Sequence, residues 1–220
     1  MTDDRVAALK KIADEIAACT RCPLYNGTTH PVPGAGDPFA EIIFIGEGPG
    51  YYEDQQGLPF VGRSGDYLTY LLKLIDLERE QVFITNVVKH RPPNNRDPQP
   101  DEIIACKGYL DDQIALIQPA VIATLGRFSM ARYFPDGKIS QIHGQPKYAS
   151  EPVIAYYPLF HPAAVLRNPN LRRTMEEDIH RLPEIVAEVK KRRSGSNPGS
   201  SGKPASSKDD DLPMQQLKLF

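Results

Sequence analysis

The stretch Glu41-Ile-Ile-Phe-Ile-Gly-Glu-Gly-Pro-Gly50 decides the fold that this sequence predicts. Residues 41–45 form a short apolar run typical of a buried strand, and glycine and proline then end it in a loop. A helical pattern follows over roughly residues 64–75. A buried strand, a polar loop and a helix are the first half of a βα unit, the building block of parallel sheets.

The same alternation continues along the chain. Further strands are predicted at 81–86, 120–125 and 153–159, and helices at 4–18, at 101–117 and at 170–192, with a short helix and irregular turns over 127–150. The pattern predicts an α/β fold, a three-layer sandwich around a central, mostly parallel four-stranded sheet. We expect one domain over residues 1–192.

Three polar residues follow predicted strands at the point where each strand ends. Glu47 follows the first strand, Asn86 ends the second, and His161 follows the fourth. Because ligands of parallel sheets bind outside the carboxyl ends of the strands, we expect a binding site at this edge.

Composition narrows the class of protein. The chain has 220 residues, of which 40% are hydrophobic, and a net charge of −2. No apolar run approaches ~18 residues and the first residues lack a signal-peptide pattern, so we expect a cytoplasmic protein without a membrane partner. The weak net charge means that any nucleic-acid surface must be a local patch.

The three cysteines suggest a metal site. Cys19-x-x-Cys22 ends the first helix, Cys106 lies in a helical pattern and His90 lies in a loop. Three Cys and one His satisfy zinc, and iron–sulfur clusters also accept histidine. Spacing alone leaves zinc, an iron–sulfur cluster and ordinary buried thiols open.

Four motifs that occur in a fixed order are more specific than the spacing of the cysteines. They are Gly46-Glu-Gly-Pro-Gly-Tyr-Tyr-Glu-Asp-Gln-Gln-Gly-Leu-Pro-Phe-Val-Gly62, Thr85-Asn-Val-Val-Lys89 followed by Arg91-Pro-Pro, Glu102-x-x-x-Cys106, and His161-Pro-Ala-Ala-Val-Leu166. Together they resemble family 4 uracil-DNA glycosylases, the iron–sulfur branch of that superfamily. The resemblance covers roughly residues 19–167.

This resemblance implies a 4Fe–4S cluster held by Cys19, Cys22, His90 and Cys106. Most members of the family have cysteine at the third position, whereas the related X-type enzymes ligate with histidine there. X-type enzymes also carry a loop histidine that traps DNA covalently. Residues 91–100 contain no histidine, so we expect hydrolysis with turnover and no protein–DNA cross-link.

The implied reaction is hydrolysis of the N-glycosidic bond of a flipped-out deoxyuridine, the first step of base excision repair. Phe60 is the expected stacking face, Asn86 the amide that reads the base, and His161 a catalytic donor to uracil O2. The resemblance places Glu47, Gly48 and Pro49 against the base, with Glu47 as the second catalytic group.

DNA phosphates are expected to contact Arg63, Lys89, Arg91 and Arg167, with Arg96 as a further cation near this edge. Val165 and Leu166 are the expected wedge where the base leaves the duplex.

Residues 193–220 are rich in Gly, Ser, Pro, Lys and Asp, a composition typical of a disordered tail. The last residues resemble the bacterial peptide that binds the sliding clamp, and the expected clamp contacts are Gln216, Leu217, Leu219 and Phe220. A monomer is expected. Two alternatives to the enzyme stay open: a non-catalytic DNA-damage-binding or clamp-adaptor protein, and a zinc-stabilised nucleotide-binding domain.

Overall fold

The structure, a computed structural model, describes residues 2–195. In chain order it contains α1 (Thr2–Ala17), β1 (Ala35–Gly36), β2 (Ile42–Gly46), α2 (Tyr51–Gln56), α3 (Gly62–Lys73), β3 (Phe83–Asn86), α4 (Pro100–Ile117), β4 (Val121–Leu125), α5 (Arg127–Ala131), α6 (Ile139–Ile142), β5 (Lys147–Ser150), β6 (Val153–Leu159), α7 (Pro162–Arg167), α8 (Arg172–His180) and α9 (Leu182–Gly195). The predicted clamp contacts Gln216, Leu217, Leu219 and Phe220 lie outside the described residues. Within that range, no helix is both long enough and apolar enough to cross a membrane.

The six strands form one sheet in the order β1-β3-β2-β4-β6-β5. The four inner strands are parallel to one another, and the two edge strands run antiparallel to their neighbours. From β2 the chain adds β3 on one side and β4 on the other, so the order reverses at β2. A parallel sheet opens a crevice at such a reversal, outside the carboxyl ends of its strands.

Successive residues of each inner strand point to opposite faces of the sheet, and both faces are covered. In β2, Ile42 and Phe44 pack into a core with α3, α8 and α9. Ile43 and Ile45 pack into a second core with α1 and α4. Helices therefore lie on both sides of the sheet, and the predicted three-layer α/β sandwich is confirmed.

The sheet has six strands where four were predicted, because the two edge strands lack a long apolar pattern. β1 is two residues long, and its Gly36 lies so close to β3 that a Cβ there would come within 1.8 Å of the Val82 carbonyl oxygen. β5 is a partly exposed polar strand at the other edge. Such short polar edges are common in sheets, since they discourage pairing with another chain.

The last predicted helix is divided into α8 and α9, which separate at Arg181. Pro183 explains the break, because proline cannot donate a main-chain hydrogen bond and its ring clashes with the carbonyl four residues earlier. Two short helices, α2 and α7, were also missed. α2 lies within the first of the four motifs, and α7 begins within the last.

Candidate active site

A cavity of about 620 Å³ opens at the carboxyl ends of the inner strands. The loops after β2, β3, β4 and β6 all contribute to its wall. The predicted residues Glu47, Gly48, Pro49, Phe60, Asn86 and His161 line it, together with Asp97, Gly126, Arg127, Phe160 and Arg167. The tertiary structure thus brings the predicted base-binding residues to one cavity.

Phe60 and Asn86 meet at Gly46, the last residue of β2. A Cβ on Gly46 would lie 2.4 Å from Asn86 Oδ1 and 2.6 Å from the Phe60 ring. Both distances are far below van der Waals contact, so only glycine fits there. The absence of a side chain at position 46 lets the ring and the amide approach one another at the cavity floor.

The conformation of Phe60 is unusual and is held by α3. Its φ of 50° lies in the left-handed region, which a non-glycine residue adopts only when its surroundings require it. Gly65 packs against its main chain, where a Cβ would come within 1.8 Å of the Phe60 carbonyl oxygen. The Phe60 ring centre lies 5.7 Å from that of His161, with the planes inclined by 32°. An aromatic face and an imidazole therefore flank the same space.

Asn86 is 2% exposed, and within residues 4–195 its side-chain amide makes no hydrogen bond. A buried amide needs partners, because an unpaired one is destabilising. Both polar groups of the amide, the N–H₂ donor and the carbonyl oxygen acceptor, are available to a ligand in the cavity. This is the arrangement expected of a group that reads a base edge.

Lys89 is fully buried beneath Asn86, with 0% exposure. Its Nζ donates to Thr85 Oγ1 (2.6 Å), to Gln113 Oε1 (2.8 Å) and to the Asn86 main-chain oxygen (2.9 Å). Burial lowers the pKa of Lys89 to about 7. The prediction that Lys89 contacts a DNA phosphate is therefore wrong, because its ammonium is enclosed and its donors already have partners.

His161 precedes α7 and caps it. Its Nδ1 accepts a hydrogen bond of 3.1 Å from the Ala163 main-chain N–H. An imidazole that accepts through Nδ1 carries its proton on Nε2, so the neutral ring is a hydrogen-bond donor at Nε2. Burial, with a smaller contribution from Arg167, lowers the pKa of His161 to about 4. The ring is therefore neutral at physiological pH.

Glu47 is half-buried at the cavity wall. Burial raises the pKa of its carboxyl, Asp97 raises it further, and Arg127 and Arg167 lower it. Asp97 and Arg127 form an ion pair with each other beside it. A partly desolvated carboxylate with cations nearby suits a group that orients water or stabilises positive charge.

Arg127 and Asp97 line the cavity but were not predicted from the sequence. Gly126 follows β4 as Glu47 follows β2, and it adopts a left-handed φ of 88°. A Cβ there would lie 3.0 Å from His161 Cβ. The end of the third predicted strand was thus the signal for Arg127, since all four parallel strands end at this edge.

The other predicted cations differ in their surroundings. Arg63 and Arg167 are exposed, and Arg167 lines the cavity. The Nε of Arg91 donates to Asn95 Oδ1 at 2.7 Å. Arg96 is paired with Glu102 through two hydrogen bonds, so its charge is already neutralised.

The predicted wedge is only partly at the surface. Leu166 is 37% exposed, whereas Val165 is 3% exposed and belongs to the core, so the wedge prediction is wrong for Val165.

The three cysteines gather at one place, where α1 and the following turn pack on α4. Cys106 is buried, and Cys19 and Cys22 pack half-buried against the same core. Burial raises the pKa of the Cys106 thiol, and the two other cysteines raise it further. His90 is 5% exposed in the adjoining loop, whose Lys89 main chain hydrogen-bonds to Cys106.

Within residues 4–195, no group of three His, Cys, Asp or Glu residues is arranged to hold a single metal ion. A four-iron cube is larger than one ion and holds its ligands farther apart. Three thiols and an imidazole in adjoining segments are compatible in chemistry with such a cluster. The three cysteines therefore fit such a group in chemistry and in place, whereas His90 fits it in chemistry.

Comparison with known proteins agrees with this geometry. The family model of the uracil DNA glycosylase superfamily matches residues 33–182, and the chain belongs to that superfamily. Within it, the chain is similar to the type-4 uracil-DNA glycosylase of Sulfurisphaera tokodaii, at 48% identity over 84% of this chain and 87% of that protein. The type-4 enzyme of Thermotoga maritima is 42% identical over 83% of this chain and 96% of its own length.

Similarity to the type-5 branch is weaker. The type-5 uracil-DNA glycosylase of Thermus thermophilus is 34% identical over 46% of this chain and 52% of that protein. The type-4 relatives match most of the described domain, and this agrees with the family expected from the four motifs.

Proposed function

We propose that this protein is a uracil-DNA glycosylase that hydrolyses the N-glycosidic bond of a flipped-out deoxyuridine and so starts base excision repair. One observation carries the proposal: Phe60, Asn86 and His161 converge on a single cavity at the carboxyl edge of the sheet. A uracil inside a duplex is unreachable, so an enzyme acting on it needs a pocket for the extruded base.

Asn86 supplies selectivity. Its N–H₂ donates to uracil O4 and its Oδ1 accepts from N3–H, while Phe60 stacks on the base. Cytosine presents the opposite pattern at these two positions. A buried amide held in one orientation would leave unpaired groups against cytosine and so reject it.

His161 supplies the donor for the leaving group. As the C–N bond breaks, negative charge develops on uracil O2. The Ala163 N–H holds the neutral ring through Nδ1. The ring therefore carries its one proton on Nε2 and can donate it to uracil O2 as a hydrogen bond. A preorganised donor of this kind contributes ~2.7–4 kcal/mol to lowering the barrier.

Glu47 is the proposed second catalytic group of the cavity. Its carboxylate orients the attacking water or stabilises the positive sugar as the bond breaks. Gly48 and Pro49 form the wall beside it, and a Cβ on Gly48 would lie 2.7 Å from a Val88 methyl group. The main chain of this loop thus packs tightly against Val88.

DNA is held by cations around the cavity. Arg63, Arg91 and Arg167 are the proposed phosphate contacts. Leu166, exposed beside Arg167, is the proposed wedge that fills the space left by the extruded base. We expect the protein to act as a monomer in the cytoplasm.

The test is release of free uracil from a uracil-containing oligonucleotide by purified protein. Wild type should release uracil with turnover, and Glu47→Ala and His161→Ala should each lower the single-turnover rate at least about tenfold. Wild-type rates in both variants would refute the catalytic assignment. A protein–DNA adduct on a denaturing gel would refute hydrolysis with turnover.

A 4Fe–4S cluster bound by Cys19, Cys22, His90 and Cys106 is the second part of the proposal. Bound there, it would stabilise the contact between α1, α4 and the loop after β3, and its role would be structural. Iron content and visible absorption of the purified protein test this, and zinc in place of iron would refute it.

His90 distinguishes this site from an all-cysteine one. Exchange of thiolate for imidazole raises cluster potential in known centres. The variant His90→Cys should therefore keep the cluster and make it harder to reduce. Loss of the visible absorption in His90→Cys would count against ligation at this position.

The third part concerns the tail. Gln216 would anchor by hydrogen bonds while Leu217, Leu219 and Phe220 fill an apolar pocket of the sliding clamp. Attachment through these residues would raise the effective concentration of the enzyme at the clamp. Removal of residues 216–220 should abolish clamp binding and leave excision from short oligonucleotides unchanged. Clamp affinity that survives this truncation would refute the interaction.

A further inference from the structure

Two exposed tyrosines that follow the cavity-lining residue Gly50 have no role in the proposed reaction. Tyr51 and Tyr52 begin α2 and are 52% and 59% exposed. Their rings meet edge to face, with centres 5.4 Å apart. Beyond these contacts, rings this exposed leave apolar surface open to solvent, which is the kind of surface on which nucleobases stack.

A chain of contacts connects these rings to the cavity. The Arg91 guanidinium lies 5.2 Å from the centre of the Tyr51 ring, and its Nε donates to Asn95 Oδ1. Asn95 lines the cavity, and so does Gly50, the residue before Tyr51. The surface formed by Tyr51, Tyr52 and Arg91, here called the tyrosine platform, is therefore continuous with the pocket for the extruded base.

We propose that the tyrosine platform stacks an unpaired nucleobase that neighbours the extruded uridine on the same strand, so that the enzyme prefers single-stranded DNA. This inference rests on the proposed function, because a strand whose uridine lies in the cavity must leave it past the cavity mouth. An aromatic face accepts any base, and the adjacent arginine adds a positive charge for the backbone.

The preference for single strands follows because the duplex competes with the tyrosine platform for the neighbouring base. In a duplex, the neighbouring base is paired and stacked on the helix, and moving it to a protein ring means giving up those contacts. In a single strand, the same base is unpaired, so moving it to the protein ring breaks few contacts. The tyrosine platform should therefore improve binding of single-stranded substrate more than binding of duplex.

The experiment measures kcat/KM for uracil release from a single-stranded oligonucleotide and from the matching duplex. Tyr51→Ala should lower the single-strand value about tenfold and the duplex value by less than about twofold. Equal losses on both substrates, or no loss on either, would overturn the proposal.

Phe39→Ala is the matched control. Phe39 is 42% exposed and has its own arginine, Arg5, 4.7 Å from the ring centre. It lies beside Glu41 and Ala120, at the amino ends of the strands and so at the opposite edge of the sheet. Removing an exposed, arginine-stacked ring there should leave both rates unchanged.

Substrates with an abasic spacer on either side of the uridine locate the contact. Where the spacer replaces the stacked base, wild type should slow to the level of Tyr51→Ala, and the variant should lose nothing further. Independent, additive losses would exclude a contact between Tyr51 and that base.

A binding measurement separates this inference from the proposed function. The affinity for a single strand without uracil should fall about tenfold in Tyr51→Ala, with or without excision activity. Failure of wild type to release uracil would refute the glycosylase while leaving this measurement informative. An unchanged affinity would refute the platform alone.

Discussion

The ammonium of Lys89 lies 2.9 Å from the main-chain oxygen of Asn86, the residue proposed to read the base. The same ammonium binds Gln113 of α4, whose Nε2 donates to the Pro33 main-chain oxygen at 2.8 Å. One buried side chain thus connects the end of β3 to a helix and to the segment before β1. This network fixes the main chain from which the Asn86 amide projects.

Replacing Lys89 by methionine should show what that network contributes. Lys89→Met keeps the volume but takes the Lys89 donor away from buried acceptors on Thr85, Asn86 and Gln113. Each unpaired buried acceptor is destabilising by ~1–3 kcal/mol, so we expect a loss of at least about 2 kcal/mol in the free energy of unfolding, together with slower excision. Urea denaturation and uracil release measure the two effects.

Lys107→Met is the control for this substitution. Lys107 lies on the exposed face of α4 and pairs only with Asp111, one turn away. Exposed pairs of this type contribute ~0.2–1 kcal/mol. Equal effects of the two substitutions would mean that the buried network has no special role.

Gly46 should be irreplaceable for activity. The methyl group of Gly46→Ala would collide with Asn86 Oδ1 and with the Phe60 ring, so both must move. Misplacing catalytic groups by about 1 Å slows a reaction by ~100-fold, and we expect a loss of that order in single-turnover excision.

Gly108→Ala serves as the comparison, because a Cβ at Gly108 meets no atom within 4 Å. Alanine in a helix is favoured over glycine by ~0.8–1.0 kcal/mol, so this variant should be fully active and slightly more stable. Normal excision by Gly46→Ala would contradict the packing described for the cavity floor.

Asn86→Asp should weaken the discrimination between uracil and cytosine. A carboxylate has no donor for uracil O4 but accepts from the cytosine amino group. We expect uracil release to fall at least about tenfold and the ratio of uracil to cytosine release to narrow. Chromatography of the released bases gives the ratio. Asn170→Asp, on an exposed turn, is the control and should behave as wild type. An unchanged ratio of uracil to cytosine release in Asn86→Asp would show that Asn86 does not read the base.

The pKa of His161 predicts a pH dependence of stability. As pH falls below about 6.5, an unfolded histidine gains a proton, whereas folded His161 stays neutral until about pH 4. The unfolded state binds more protons across this window, so His161 makes the protein less stable as pH falls from about 6.5 to about 4.

The variant His161→Asn should therefore lose less stability than wild type over that window. Urea denaturation at several pH values measures the difference. Parallel curves for wild type and His161→Asn would show that His161 titrates normally in the folded protein.

Much of the candidate site was accessible from local sequence. The apolar runs end at Gly46, Asn86 and the residue before His161, and parallel strands bring their carboxyl ends to one edge. That rule alone was enough to place Glu47, Asn86 and His161 together. The four motifs then predicted the family, because they combine many positions in one order.

What the sequence by itself determined was therefore the layered sandwich, the edge that carries the site and the family. Only the tertiary structure decided that Lys89 is buried, that Arg96 is paired with Glu102, and that Tyr51 and Tyr52 are exposed next to a residue that lines the cavity. The physical reason is the distance along the chain between the residues that interact. Strand and helix patterns act over a few neighbouring residues. Burial depends on segments far apart in the chain, as where Gln113 of α4 accepts a hydrogen bond from Lys89 in the loop after β3.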